Sequence, residues 1–119
     1  MDDDIYLLLS ASEKLSSRTV SLTRCLIFAL LAYFVDGIQY RELKAALRIS
    51  DGKLIANLKL LRTMGYIEKS EVEVDQRRVD VYYLTGKGRS ELNRVVEWMR
   101  LIQTVASEGD KKCQAILTR

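Results

Sequence analysis

The stretch YRELKAALRISDGKLIANLKLLRTMGYIEKSEVEVDQRRVDVYYLTGKGR, residues 40–89, decides the fold, because its hydrophobic spacing changes period inside it. From Arg41 to Leu47 the apolar residues Leu43, Ala46 and Leu47 form one helical stripe, which breaks at Ile49-Ser50. Ser50 stands as an N-cap for a second helix, Asp51 to Met64, and Gly65 is placed to stop it in a left-handed conformation. Two short helices thus meet across a tight turn. Beyond Gly65 the period shortens. Tyr66 to Val74 alternates imperfectly, with Ile67, Val72 and Val74 apolar and Glu68, Glu71 and Glu73 polar, and Val79 to Leu84 is β-branched and aromatic. Asp75-Gln76-Arg77-Arg78 is a polar tip between them, so the spacing predicts a hairpin, with Thr85 capping a last helix.

Working outward, Ile38-Gln39-Tyr40 fits a brief strand before the first of these helices. The element order predicts an α+β, mainly α fold: a winged helix-turn-helix with a two-stranded wing and terminal helices. Asp2 to Lys14 reads as a short helix, with Asp2, Asp3 and Asp4 at the positive end of its dipole and Ile5, Leu8, Leu9 and Leu15 at helical spacings. Ser16 and Ser17 mark a break or cap. A longer helix follows from about Thr19 to Val35, ended by Asp36-Gly37. Leu22, Leu26, Phe28, Ala29, Leu31, Ala32, Tyr33 and Phe34 leave it little polar face, which predicts burial on more than one side. The N-terminal helix, the C-terminal helix or another subunit would supply the second surface; a merely central helix is the alternative. In the last helix Leu92, Val95, Val96, Met99, Ile102 and Ala106 recur at helical spacing, and Glu108 to Arg119 reads as a polar, glycine-interrupted tail, mobile or weakly helical. The expected organisation is one compact domain with extensions: an N-terminal helical extension at 1–17, the winged domain at 18–90, a C-terminal helix at 91–107 and a tail at 108–119.

Composition excludes more than it selects. A chain of 119 residues with 48% hydrophobic and 29% charged residues matches a soluble globular protein with one core. Histidine is absent, Cys25 and Cys113 are far apart, and no CxxC occurs, so no metal and no cofactor are expected. Cys25 reads as a small core residue. Gly86-Lys87-Gly88-Arg89-Ser90 lacks the spacing of a phosphate loop, and with no nucleophile or base in a recognisable pattern an enzyme is not expected. Lys87 and Arg89 would touch a nucleic-acid backbone or remain solvated. The longest apolar run, Cys25 to Val35, is shorter than the roughly 20 residues a bilayer requires. The first residues carry aspartates where a signal peptide carries bases, so a cytoplasmic protein with no membrane partner is expected. Net charge is +3, and bases concentrate in the central segment, which suits a nucleic-acid partner.

At about 100° per residue, Leu54, Leu58 and Leu61 form the core face of the second helix. The opposite face carries Gly52, Ala56, Lys59 and Thr63, flanked by Lys53, Ile55 and Leu60, with Asn57 toward the boundary. Small residues allow close approach to base edges, and lysines meet phosphates or guanine acceptors in a major groove. Ile55 and Leu60 are unusual there, and contact thymine methyls, pack under the wing or mark a protein interface. Expected DNA contacts are Lys53, Ile55, Ala56, Asn57 and Lys59 in the major groove at the small-residue surface of Gly52, backbone amides near Ser50 and Asp51 on a phosphate, and Arg77 and Arg78, assisted by Gln76, at the wing.

Taken together, Ile49-Ser50-Asp51-Gly52-Lys53-Leu54, Asn57-Leu58, Leu61, Gly65-Tyr66-Ile67, Arg77-Arg78, Tyr83-Leu84-Thr85 and Gly88-Arg89 resemble the winged-helix domain of MarR/ArsR-like transcriptional regulators, over roughly Leu22 to Met99. The resemblance implies a homodimeric regulator of double-stranded DNA with its outer helices as the interface: Ile5, Leu8 and Leu9 from the first helix with Leu92, Val95, Val96, Met99 and Ile102, and Trp98 nearby, from the last. Two departures stand out: Asn57 where relatives often have histidine, and no metal-binding cysteines and histidines as in metal-sensing members. A small-molecule effector between the dimer helices, near Tyr6, Tyr33, Phe34 and Trp98, is permitted but unidentified, and ordinary core is the favoured reading of these aromatics. The rival function is a winged helix serving as a protein-interaction module in a transcription-related assembly.

Overall fold

A computed structural model describes residues 3–15 and 20–118. The expected aspartate at position 2, the break at Ser16-Ser17 and the helix start near Thr19 lie outside the described residues. Two compact units emerge, Ser17–Leu92 on one hand and Met1–Ser16 with Asn93–Arg119 on the other. The terminal segments, expected as extensions of one domain, thus group into a unit of their own.

Within Ser17–Leu92 the order is α2 (Leu22–Tyr33), β1 (Ile38–Gln39), α3 (Tyr40–Leu47), α4 (Asp51–Thr63), β2 (Ile67–Val74) and β3 (Arg77–Leu84), preceded in the chain by α1 (Asp3–Glu13) and followed by α5 (Gly86–Leu117). Ile27, Phe28 and Leu31 of α2 meet Leu43 of α3, Leu54, Leu58 and Leu61 of α4, and Ile38, Tyr66, Ile67 and Tyr82 of the sheet in one core. Each such side chain contributes about 1.5–3 kcal/mol on burial. The Phe28 and Tyr66 rings tilt together at 5.8 Å. The Tyr66 hydroxyl donates to the buried Glu91 carboxylate at 2.7 Å, so the ring brings its polar tip into the interior with a partner.

α2 differs from expectation. It is buried on one side only: Leu22 and Tyr33 are each 79% exposed, and Leu26, Ala29 and Phe34 are exposed as well. Tyr33 and Phe34, favoured as core, instead form an edge-to-face pair at 4.9 Å on the surface. Apolar periodicity reports that a face wants cover and does not say that this chain alone supplies it.

The sheet is antiparallel in the order β1-β3-β2, so the two-stranded wing is joined at its base by β1, through Ile38 opposite Tyr82 and Gln39 opposite Val81. Val74 pairs with Arg77, leaving a two-residue turn at Asp75-Gln76 with φ of 52° and 65°. Two positive φ values make a type I′ turn, the hand that suits a twisted hairpin. The expected four-residue tip is therefore two residues long, and Arg77 and Arg78 already belong to β3. Behind the wing, Gly65 stops α4 at φ 80° as expected. Gly88 lies where an added Cβ would come within 2.1 Å of the Tyr66 carbonyl oxygen, so only glycine lets α5 pass this close to the chain leaving α4.

Thr85 caps α5: its Oγ1 accepts from the Gly88 amide at 3.0 Å and donates to the Gly65 carbonyl at 2.7 Å. α5 then runs unbroken to Leu117, so the segment expected as a polar tail from Glu108 is helical. Gly109 weakens a helix by about 1 kcal/mol, a cost that neighbours of good helix propensity such as Lys111, Lys112, Gln114 and Ala115 offset.

In the terminal unit α1 buries no residue fully, and Tyr6, Leu7 and Leu9 are exposed with Val96, Met99 and Ile102 of α5. Of the other expected interface residues, Ile5 and Leu8 are half-buried, as are Trp98 and Leu92, the last packing on the winged-unit core. Val95 is only 1% exposed, so the chain has already consumed its surface and it has none to offer a partner.

Candidate nucleic-acid interface

Helix α4 owes its position to three buried leucines, Leu54, Leu58 and Leu61, which turn the opposite face outward. Gly52, Lys53, Ile55, Ala56, Lys59, Arg62 and Thr63 are all exposed there. Nothing lies within 4 Å of where a Cβ on Gly52 would stand, so the fold itself does not require glycine at this position. Ser50 caps the helix, its side chain accepting from the Lys53 amide at 3.2 Å.

A second anchor, not anticipated from the sequence, holds the same helix end. Asp51 accepts from the Tyr40 hydroxyl at 2.6 Å and from the Lys44 ammonium at 2.9 Å. The clasp joins the first turn of α4 to α3 across the turn at Arg48, which sits in the left-handed region with φ 53°. The Tyr40 phenol is pushed up to about 12, chiefly because ionisation would break its hydrogen bond to Asp51 and then set two negative charges together. The Asp51 carboxyl is held below the usual carboxylate range by the Tyr40 hydrogen bond and then by Lys44. A carboxylate at this point competes with any phosphate approaching the amides near Ser50 and Asp51.

Asn57 is a correction. Only 9% exposed, it faces the interior: Oδ1 accepts from Arg24 Nε at 2.9 Å and Nδ2 donates to the Lys53 carbonyl at 2.8 Å. It ties α4 to α2 and does not stand with the outward residues. The angular position at the edge of the core stripe fits either side of the boundary; a long cation from α2 draws the amide inward. Of the two apolar residues singled out, Leu60 is half-buried and Ile55 is 54% exposed. Ile55 lines a hollow of roughly 500 Å³ between α4 and the sheet, with Lys59, Arg62, Lys69, Asp80 and Tyr82 on its walls. Burial pushes the Tyr82 phenol up, with Asp80 adding to the effect and Arg62 opposing it. Arg62, one turn beyond Lys59, joins the outward cations; the i, i+3 spacing was its signal in the sequence.

At the wing, Gln76 is exposed in the turn, and Arg77 and Arg78 open β3. Side chains alternate along a strand, so the adjacent arginines face opposite sides of the ribbon. Arg78 lies 3.7 Å from Glu71, an exposed and weak pairing. Lys69 and Asp80 stand 4.0 Å apart on the same face. By contrast, among the described residues Lys53, Lys59, Arg62 and Arg77 have no carboxylate within ion-pair distance. Lys87 serves the fold itself, since it donates to the Met64 carbonyl at 2.9 Å and stands over the Tyr66 ring, closing the end of α4.

No curated protein matches the chain significantly in sequence. Solved structures match in fold. YusO from Bacillus subtilis is similar at TM-score 0.68 and 16% identity, over 97% of this chain and 80% of that one. The S. aureus MepR in its DNA complex gives 0.67 and 15%, over 96% and 92%. ZitR of Lactococcus lactis, a zinc-responsive MarR family member, gives 0.58 and 20%, over 96% and 86%. In each case the shared fold extends over nearly the whole of this chain. A family model for the winged helix DNA-binding domain matches residues 23–102, well over half of the chain. The two helices across a capped turn and the ribbon behind them are that domain's parts, and this chain belongs to the winged helix DNA-binding domain family.

Proposed function

We propose that the chain is a homodimeric transcriptional regulator that binds specific sites in double-stranded DNA and has no catalytic role. The observation that carries this is the outward face of α4, where Lys53, Lys59 and Arg62 stand around Gly52 and Ala56 without carboxylate partners among the described residues. Gly52 stands in the first turn of α4, and the fold has no use for the space beside it. A base edge does. Lys53, Ile55, Ala56 and Lys59 face the major groove in this reading, and Gln76, Arg77 and Arg78 meet the flanking backbone. Asn57 acts from inside by holding α4 against α2. Relatives in fold include a regulator solved on DNA, which supports the same use of the face.

The exposed apolar side chains of α1 and α5, Leu9, Val96, Met99 and Ile102 among them, support a dimer through the terminal helices, with Ile5, Leu8 and Leu92 at its margins. Twofold symmetry then calls for half-sites about one helical turn apart, roughly 10 bp, or a multiple. Such a protein works in the cytoplasm, beside the DNA. Selection of bound genomic fragments across salt concentrations tests both points: a shared palindromic site with steep salt dependence is expected, and capture without sequence preference would exclude specific regulation. Exposed Ile55 favours a second reading, a protein-interaction surface on the same helix. Salt-insensitive association with a protein, in a chain that binds no duplex, would establish it instead.

A further inference from the structure

The outer side of the wing carries cations that the face of α4 does not account for. β1 is two residues long and covers β3 only at Val81 and Tyr82, so the edge of β3 from Arg77 to Asp80 is open. Val74 opposite Arg77 closes the hairpin as a hydrogen-bonded pair, and the alternation of an antiparallel ladder then turns the amides of Arg78 and Asp80 toward that open edge. Two adjoining hollows of roughly 320 and 470 Å³ lie here, sharing Gln39, Arg41, Arg77 and Val79 in their walls. Arg41, in the first turn of α3, and Arg77, on β3, are both exposed, and among the described residues neither has a carboxylate within ion-pair distance. Asp75 lines one of the hollows and Asp80 the other; Asp80 faces Lys69 at 4.0 Å.

We infer that Arg41 and Arg77, with the open edge of β3, form a seat for a backbone phosphate of duplex DNA beside the wing. The inference rests on the DNA-binding reading above and adds to it a contact from α3, distinct from the groove-facing residues of α4. A guanidinium offers a planar fork of donors suited to phosphate oxygens, and two of them from different elements converge on one concave place. A phosphodiester presents the two acceptor oxygens such a seat needs, and carries no sequence information. The seat therefore positions the protein without selecting the site.

The test uses the full chain and a labelled duplex from the fragment selection. Arg41→Gln and Arg77→Gln are expected to weaken specific and random duplexes alike, each by about five- to tenfold near physiological salt, and to lower the slope of log affinity against log salt by about 0.9 per lost phosphate. Replacing single phosphates with methylphosphonate locates the contact: one flanking position should weaken the parent protein, weaken Arg41→Gln and Arg77→Gln less, and leave the double variant unchanged. Lys111→Gln, near the C-terminal end of α5, serves as the neutral control. If the parent binds duplex while both variants keep its affinity and salt slope, the seat is wrong and the DNA reading stands. If the parent binds no duplex, both fall together. Circular dichroism of each variant excludes misfolding, and the two substitutions on separate elements make a shared folding defect distinguishable.

Discussion

Gly52 and Tyr40 show how single side chains on this surface divide between stability and recognition. An alanine at 52 meets open space in the first turn of α4, where propensity counts for less than in a helix interior, so Gly52→Ala should raise stability by up to about 0.5 kcal/mol. The same methyl stands toward the groove and should weaken specific DNA binding; chemical denaturation with binding titration measures both, and unchanged affinity would remove Gly52 from the contact. The Tyr40–Asp51 clasp predicts two pH windows. Asp51 has a depressed folded-state pKa, so its contribution is present above the unfolded carboxylate range and lost as pH falls through the lower folded value. Tyr40 is raised, so its contribution is intact below about 10 and lost as pH climbs toward about 12. Tyr40→Phe should move the Asp51 titration upward, as read by carboxyl chemical shifts. The outward place of Gly52 was legible in the sequence because it lies opposite the leucine stripe of α4. The clasp was not, because it joins residues on two helices whose angle no periodicity encodes. Asn57 was misplaced for a related reason: its partner Arg24 lies 33 residues earlier.

At the level of elements, the helix-turn-helix, the hairpin and the stop at Gly65 were all readable, since each rests on local spacing and local caps. The boundaries that moved depend on pairing. Arg77 and Arg78 look like tip residues by composition, but the two left-handed residues Asp75 and Gln76 close the turn earlier. Gln76 lacks the short polar side chain with which Asn or Asp favours that conformation, so Gln76→Gly should stabilise the hairpin by several tenths of a kcal/mol, measured by thermal unfolding. The junction of α5 with β2 gives the opposite sign. Gly88→Ala places a methyl against the Tyr66 carbonyl, and a loss of about 3 kcal/mol is expected in denaturant unfolding. A loss below about half a kcal/mol would mean that α5 can shift without cost.

On the scale of the whole molecule, the outstanding feature is apolar surface that one copy leaves uncovered. The repeats in α1, α2 and α5 were visible in the sequence, but a sequence does not say whether a stripe is covered by its own chain or by a second one. Leu22, Tyr33 and Met99 are exposed here, whereas Val95, in the same α5 stripe, is fully covered. In the proposed homodimer, Met99→Glu should shift the protein from dimer toward monomer in sedimentation at micromolar concentration, with helix content retained. DNA affinity should fall with it, because two half-sites bound together gain from their linkage. A parent protein that sediments as a monomer with its terminal helices intact would remove the dimer and the palindrome together.

The alternation along β3 stores one further instruction. Arg77 lies four residues before Val81 and Arg78 four before Tyr82, so parity relative to these buried anchors settles which arginine serves which side of the ribbon. Deleting Val79 alone would transpose the two roles while leaving net charge untouched. The address of each arginine is written as an even or odd count of residues.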